Sequence, residues 1–227
     1  MDNIELTILM PCLNEEKTIG ECIKEAQKYI DESRINAEIL IADNGSADAS
    51  VNIAQQLGAR VVSIKEKGYG NALIGGIKAA RGRYIIMGDC DMSYDFYHLD
   101  GFVEKLREGN VLVMGDRFAG GIEKGAMPFS HRYIGVPFLS WLGRIKYKTM
   151  VRDFHCGLRG FNRMKALKLG LKCGGMEFAT EIIGKFAMSG GRIAQIPTVL
   201  RKDKREHAPH LNTIRDGMRH LKYIIRG

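Results

Sequence analysis

Along the first 117 residues, short apolar runs alternate with stretches in which apolar residues return every three or four positions. The runs at 5–10 (ELTILM), 38–43 (EILIAD), 60–64 (RVVSI), 83–88 (RYIIMG) and 111–116 (VLVMGD) predict five strands. The spacing between them predicts helices over roughly 16–30, 46–57, 69–80 and 96–108. Strands that are apolar at nearly every position are covered on both faces, and intervening helices return the chain so that the next strand runs parallel. This half therefore reads as a parallel α/β sheet, and such sheets bind ligands beyond the carboxyl ends of their strands.

The second half is less regular. Residues 119–128 (AGGIEKGAMP) read as a loop, 130–148 as a helix and 154–161 (FHCGLRGF) as a short strand. Helices follow at about 163–170 and 176–188, then a strand at 192–200 (RIAQIPTVL). The stretch 201–209 (RKDKREHAP) is too charged for a core, and a last helix is expected over 211–225. In that helix Leu211, Ile214, Met218, Leu221 and Ile225 recur at 3–4 spacing, flanked by Arg215, Arg219, Lys222 and Arg226. Such a stripe either lies on an anionic membrane surface or packs on the domain.

Composition narrows the classes. With 45% hydrophobic and 26% charged residues, the chain is neither disordered nor collagenous nor a disulfide scaffold. Its 27 glycines in 227 residues point to many tight turns or close backbone approaches. The net charge of +8 is unevenly placed: residues 1–115 hold 12 Lys and Arg against 18 Asp and Glu (−6), and residues 116–227 hold 22 against 8 (+14). The basic half is expected to meet something anionic: nucleic acid, a membrane or a phosphorylated substrate. Cys12, Cys22, Cys90, Cys156 and Cys173 form no CxxC pair and read as reduced, cytosolic thiols. The acidic start does not read as a secretory signal, and no apolar stretch reaches about 18 residues.

The chemistry gathers at the predicted strand ends. Gly88-Asp89-Cys90-Asp91 follows the fourth strand, and in an extended chain its two carboxylates face one side and can share a hard cation. Mg²⁺ or Mn²⁺ so held completes its shell with substrate phosphate and water. After the first strand comes Pro11-Cys12-Leu13-Asn14-Glu15-Glu16, where Pro11 stops the strand and Asn14 or a neighbour caps the next helix. After the second comes Asp43-Asn44-Gly45-Ser46, a carboxylate suited to ribose or base, or a tight turn with Ser46 as helix cap. After the third comes Lys67-Gly68-Tyr69-Gly70-Asn71, whose glycines allow a nucleotide to come close and whose lysine can meet a phosphate.

In order and spacing, PCLNEE, ADNGSAD, KGYGNAL and GDCD resemble the family 2 glycosyltransferases of the GT-A fold. MGDRF, SHRYIGVP, DFHCGLRGF, GGMEFATE and RIAQIPTVL extend the likeness, over about residues 4–225, to polyprenyl-phosphate hexosyltransferases such as dolichol-phosphate mannose and glucose synthases. The resemblance implies a single domain over 1–227, with 1–117 serving donor nucleotide and metal and 118–227 the acceptor. It assigns Pro11, Leu13, Asn14, Glu15, Asp43, Asn44, Lys67, Gly70, Asn71 and Cys90 to the donor nucleotide. Asp89 would bridge nucleotide and metal, and Asp91 would coordinate the metal. Arg117, Arg132 and, by a looser match, Arg205 would hold the acceptor's lipid phosphate, with Asp153 and Arg159 in support. The implied reaction is inverting, metal-dependent transfer of a hexose from a UDP- or GDP-sugar to a polyprenyl phosphate by a peripheral protein at the cytoplasmic membrane face. A family member with a soluble or non-lipid acceptor is the alternative.

The sequence departs from the family pattern in places. Leu13 stands where a tyrosine is usual, Asn44 where a second aspartate is common, and Ser93 where some members carry a metal-binding glutamine. HAPHL replaces the familiar ending, and the transmembrane helices of many members are missing. A phosphate acceptor is already anionic and needs neutralisation more than a base, a task for which arginine suits better than lysine. The basic half lacks the interleaving of cations with stacking aromatics that a nucleic-acid module needs, so no nucleic-acid partner is expected.

Overall fold

A computed structural model of the chain describes residues 4–205 and 213–226. Leu211 and the HAPHL segment lie outside the described residues. The first half alternates as its pattern predicts: β1 (Leu6–Cys12), α1 (Ile19–Ser33), β2 (Ala37–Asp43), α2 (Ser50–Gln56), β3 (Arg60–Ser63), α3 (Tyr69–Ala79), β4 (Tyr84–Met87), α4 (Asp100–Arg107) and β5 (Leu112–Asp116). The second half adds α5 (Arg117–Gly120), a π-helical turn (His131–Gly135) running into α6 (Val136–Tyr147), β6 (Arg159–Asn162), α7 (Arg163–Lys168), α8 (Phe178–Met188), β7 (Ile193–Pro197) and α9 (Thr213–Arg226).

The seven strands form one sheet in the order β3-β2-β1-β4-β6-β5-β7. All neighbours run parallel except β6, which is antiparallel to both β4 and β5. Every residue of β4 and β5 is buried, and β3 and β7 at the two edges are only partly so. Helix α3 packs on β1 and β2, α4 packs on β5 and β6, and α6, α8 and α9 pack on one another.

Several boundaries differ from the sequence reading, each for a local reason. Pro11 does not stop β1. Leu9 O accepts from Gly88 N and Cys12 O from Asn44 N, so odd positions of β1 turn toward β4 and even ones toward β2. The missing N–H of Pro11 therefore points to the β4 side, where pairing ends at Leu9, and the ladder with β2 continues to Cys12. The strand expected over 154–161 begins only at Arg159. Before it, the backbone bonds to side chains: His155 N donates to Asp153 Oδ1 (3.1 Å) and Gly157 N to the Tyr94 hydroxyl (2.7 Å). Among the described side chains of α9, Asp216, His220 and Ile224 are buried, and Met218 and Ile225 of the expected stripe are exposed; the side chain of Ile214 lies outside the described ones. His220 faces α8, where its Nδ1 shares a 2.8 Å hydrogen bond with Thr180 Oγ1, so the polar stripe turns inward.

Candidate active site

A cleft of about 670 Å³ opens beyond the carboxyl ends of β1, β2 and β4. Pro11, Leu13 and Glu15 line it after β1, Asn44 after β2, Lys67 after β3, and Asp89, Cys90 and Asp91 after β4. The acid pair does not sit in an extended strand. Strand β4 ends at Met87, and both carboxylates occupy the turn beyond it, where Met92 adopts a left-handed φ of 68°. A non-glycine residue there is strained and is held by its surroundings. Here Asp91 Oδ1 accepts from Ser93 N (2.9 Å) and Ser93 Oγ (2.5 Å), which ties the turn.

Asp89 Oδ1 accepts from the Tyr69 hydroxyl at 2.9 Å. Burial pushes the Asp89 carboxyl up to about 6, and the neighbouring charge of Asp91 adds to the shift. The counter-charge is Arg205. Its Nη2 lies 2.7 Å from Asp91 Oδ2 and its Nη1 3.7 Å from Glu15 Oε1. Arg205, expected with the acceptor phosphate, is thus placed at the acid end. The preceding charges of this segment pair along the rim: Arg201 meets Glu25 (2.8 Å) and Asp95 (2.6 Å), and Lys204 N donates to Asp91 O (3.1 Å).

The loops after β1, β2 and β3 are laced together by side chains. Asp43 accepts from Gly45 N (3.0 Å) and Ser46 N (3.1 Å), so both its oxygens serve the turn. Asn14, at φ 58°, caps no helix; its N donates to Ser46 Oγ (2.9 Å) and its Oδ1 accepts from Ala47 N (2.8 Å). Ser46 likewise caps nothing, since α2 starts at Ser50. Asn44 donates to Ile64 O and Glu66 O and accepts from Gly68 N, which clamps the loop before α3; Lys67 Nζ closes the knot on Asn44 O at 2.7 Å. The backbone that comes close to Gly68 and Gly70 is the protein's own. A Cβ on Gly70 would stand 2.0 Å from Cys173 O, and one on Gly68 2.3 Å from Gly174 O. Asn71 belongs to the same contact, its N donating to Gly174 O at 3.2 Å.

The far end of the cleft is cationic, and the topology explains it. Because β6 is antiparallel, its first residue, Arg159, lies beside Met87 at the end of β4 and Met114 near the end of β5. Arg117 starts α5 directly after β5, where Asp116 Oδ1 caps the turn through Phe118 N and Ala119 N (3.0 Å each). Arg117 is buried and forms a two-point pair with fully buried Asp153: Nε–Oδ2 2.6 Å and Nη2–Oδ1 2.8 Å. Arg159 is 1% exposed and donates to three backbone carbonyls, those of Phe154, Cys156 and Ala179. His131, His155 and His220 line the same end. Arg132 does not line the cleft; its guanidinium lies 5.4 Å from the centre of the Tyr133 ring.

Residues 7–170, well over half of the chain, match glycosyl transferase family 2. The chain belongs to that family. As a family 2 glycosyltransferase it is 34% identical over 97% of its length to the low-salt glycan biosynthesis hexosyltransferase Agl6 of Haloferax volcanii, and it spans about half (53%) of that protein. It is 28% identical to a dolichyl-phosphate hexose transferase of the same organism, covering 87% of this chain and 83% of the relative. Glucosyl-3-phosphoglycerate synthase from Mycobacterium tuberculosis, solved with Mn²⁺, UDP and phosphoglyceric acid, superposes with a TM-score of 0.77 at 23% identity, over 98% of this chain and 78% of that one. That likeness establishes the GT-A fold.

Within this glycosyltransferase, the sequence reading found the acids and Arg117 but missed other groups that line the cleft. Tyr69 sits inside KGYGNAL and His155 inside DFHCGLRGF, both motifs already singled out, yet neither residue signals its role locally. Tyr69 becomes a partner of Asp89 only when α3 is set against the end of β4, and His220 reaches the cleft only when α9 packs on α8.

Proposed function

We propose that this glycosyltransferase carries out inverting transfer of a hexose from a UDP- or GDP-sugar to a polyprenyl phosphate at a membrane surface, with a divalent metal at the acid pair. The observation that carries the reading is the division of one cleft into an acid end (Glu15, Asp89, Asp91) and a buried cationic end (Arg117, Arg159). Among the described residues no group of three or more His, Cys, Asp and Glu stands ready to hold a metal alone. Two neighbouring carboxylates, one of them raised to about 6 by burial and then by the charge of the other, nevertheless fit a hard cation, such as Mg²⁺ or Mn²⁺, that takes its other ligands from diphosphate and water. When bound, the ion supplies Lewis-acid stabilisation to the departing nucleotide. Asp91 and Asp89 would hold it, and Arg205 would move from Asp91 toward the incoming phosphates. Arg117, fixed in orientation by Asp153, would neutralise the acceptor phosphate and point its oxygen at the sugar.

A membrane-borne acceptor is supported by the surface beside the cleft mouth. Met127, Pro128, Val136 and Leu139 line the cleft, and the outer side of the same segment carries Phe129, Tyr133, Ile134, Phe138, Trp141 and Ile145, each at least 50% exposed. Ile134, Phe138, Trp141 and Ile145 recur at helical spacing opposite the buried Ser140, Gly143 and Tyr147, with exposed Arg144, Lys146 and Lys148 nearby. Exposed apolar patches mark contact surfaces, and aromatic residues flanked by cations suit an anionic bilayer interface. Among the described residues no helix is long and apolar enough to cross a membrane. The test is incubation with radiolabelled nucleotide sugars and short polyprenyl phosphates, with and without Mn²⁺. Label extracted as a polyprenyl-phosphate sugar is expected. Transfer to water-soluble acceptors alone establishes the soluble-acceptor alternative.

A further inference from the structure

His155 faces the cleft from the loop between α6 and β6, close to Arg117 and Arg159. The residue as a whole is only partly buried, yet both ring nitrogens are shut off from solvent and neither has a hydrogen-bond partner. A buried imidazole with two unmet nitrogens calls for an explanation, because leaving such groups unpaired is costly. Its ring stands edge-on to His220, 4.5 Å between centroids, and His220 is itself bonded to Thr180.

The surroundings define what would satisfy it. Arg117 from α5, Arg159 from β6, His131 from the π-helical turn and His220 from α9 all oppose a positive charge on His155. Asp153, two residues earlier, gives both oxygens to Arg117 and to the amides of Arg117 and His155. Glu177 and Asp216 act on His220, where each favours a positive charge. Among the described residues, the hydrogen bonds of Arg159 go to carbonyl oxygens. The pocket around His155 therefore offers cations and an unused N–H donor, a setting suited to an anion with several acceptor oxygens. Burial and these neighbours hold the ring well below its usual range, so it stays neutral and keeps one N–H to donate.

We propose that His155 contacts the acceptor's phosphomonoester group directly, donating a ring N–H to a phosphoryl oxygen on the side opposite Arg117. This rests on the transfer reaction proposed above and adds a residue to its acceptor site. The shared chemistry is a phosphomonoester, presented either as a lipid headgroup or by a small soluble molecule, so both a short polyprenyl phosphate and phosphoglyceric acid are needed as probes.

The experiment compares wild type with His155→Phe and His155→Gln in steady-state transfer. In His155→Phe the acceptor KM is expected to rise about tenfold or more, the loss of one hydrogen bond to a charged group, with kcat and the donor KM changed less than about threefold. His155→Gln, which keeps an N–H donor, is expected to recover most of the affinity. The melting temperature of ligand-free His155→Phe is expected to match or exceed wild type, because an unpaired polar group is replaced by an apolar ring. If the effect appears only with polyprenyl phosphate, the site reads a lipid headgroup; if only with phosphoglyceric acid, a soluble one. On wild-type protein, the His155 ring ¹⁵N resonances are expected to shift when the productive acceptor is added, a readout that needs no variant to fold. An unchanged acceptor KM in both variants, His155→Gln no better than His155→Phe, or unmoved ring resonances each overturn the contact. Absence of wild-type transfer to any phosphomonoester instead defeats the underlying reading.

Discussion

Single side chains divide here by whether the fold or a ligand satisfies them. Arg117 is satisfied by the fold: a two-point pair with Asp153 holds it in place without solvent. Removing one member of such a pair strands the other charge, so Arg117→Ala is expected to cost about 3–5 kcal/mol in chemical denaturation, and Arg117→Lys less. Asp91 is satisfied only in part, by Ser93 and by an arginine that has a second acid within reach. Asp91→Ala is expected to abolish transfer and nucleotide-dependent metal binding while the circular dichroism spectrum is retained. Retained transfer under chelation would remove the metal from the mechanism. His220 gives a pH signature. Burial pushes it to about 4, whereas the unfolded ring titrates near 6.5, so the unfolded chain takes up the proton first as pH falls. Stability is therefore full above about pH 6.5 and declines toward pH 4, by on the order of 3 kcal/mol for this group. Asp89, raised to about 6, acts in the opposite sense. Melting wild type and His220→Gln from pH 7.5 to 4.5 isolates the histidine, and the variant should show the shallower decline.

Two elements carry tests of their own. Helix α3 meets the 173–175 loop at Gly68 and Gly70, where backbone comes so close that no side chain fits. Gly70→Ala is expected to force the two apart and to lower stability by about 2 kcal/mol or more, a backbone clash rather than a lost contact. Donor affinity should drop with it, because the same loop carries Lys67 and Tyr69 into the cleft. On α6, Phe138→Asp with Trp141→Asp should reduce co-sedimentation with anionic vesicles while leaving nucleotide binding intact, since neither residue lines the cleft. Equal sedimentation of variant and wild type would take this face out of membrane contact. The register of α9 shows why an apolar stripe is an incomplete guide to the buried side of a helix. Its inward face carries Asp216 and His220 because α8 and α9 supply partners for them.

At the scale of the whole molecule, the uneven charge acquires a place. The acidic first half builds the strand ends and turns that hold Glu15, Asp89 and Asp91, and the basic second half folds over the same cleft with Arg117, Arg159 and Arg205. The two halves thus meet at one site rather than forming two. A nucleotide bridging them should stabilise the fold only when a divalent ion offsets the acid end. UDP or GDP at 100 times its Kd is expected to add about 2.7 kcal/mol with Mn²⁺ and little after chelation. No shift with either nucleotide would count against the donor site.

The sequence alone determined the alternating first half, the acids at its strand ends and the family to which the chain belongs. Those features are local: a strand apolar throughout and a helix with 3.6-residue spacing are written in adjacent positions, and a strand end fixes where the next few side chains emerge. Only the tertiary structure decided the rest. Which strand lies beside β4 depends on contacts far apart in the chain, such as the pair of Met87 with Arg159, and nothing in the local pattern of 159–162 says that it inserts antiparallel between β4 and β5. That insertion brings Arg159 to the cleft. Likewise the charge of Arg117 or Arg205 is visible in the sequence, but its partner is not: pairing with Asp153 or Asp91 is settled by geometry and burial after the chain has folded.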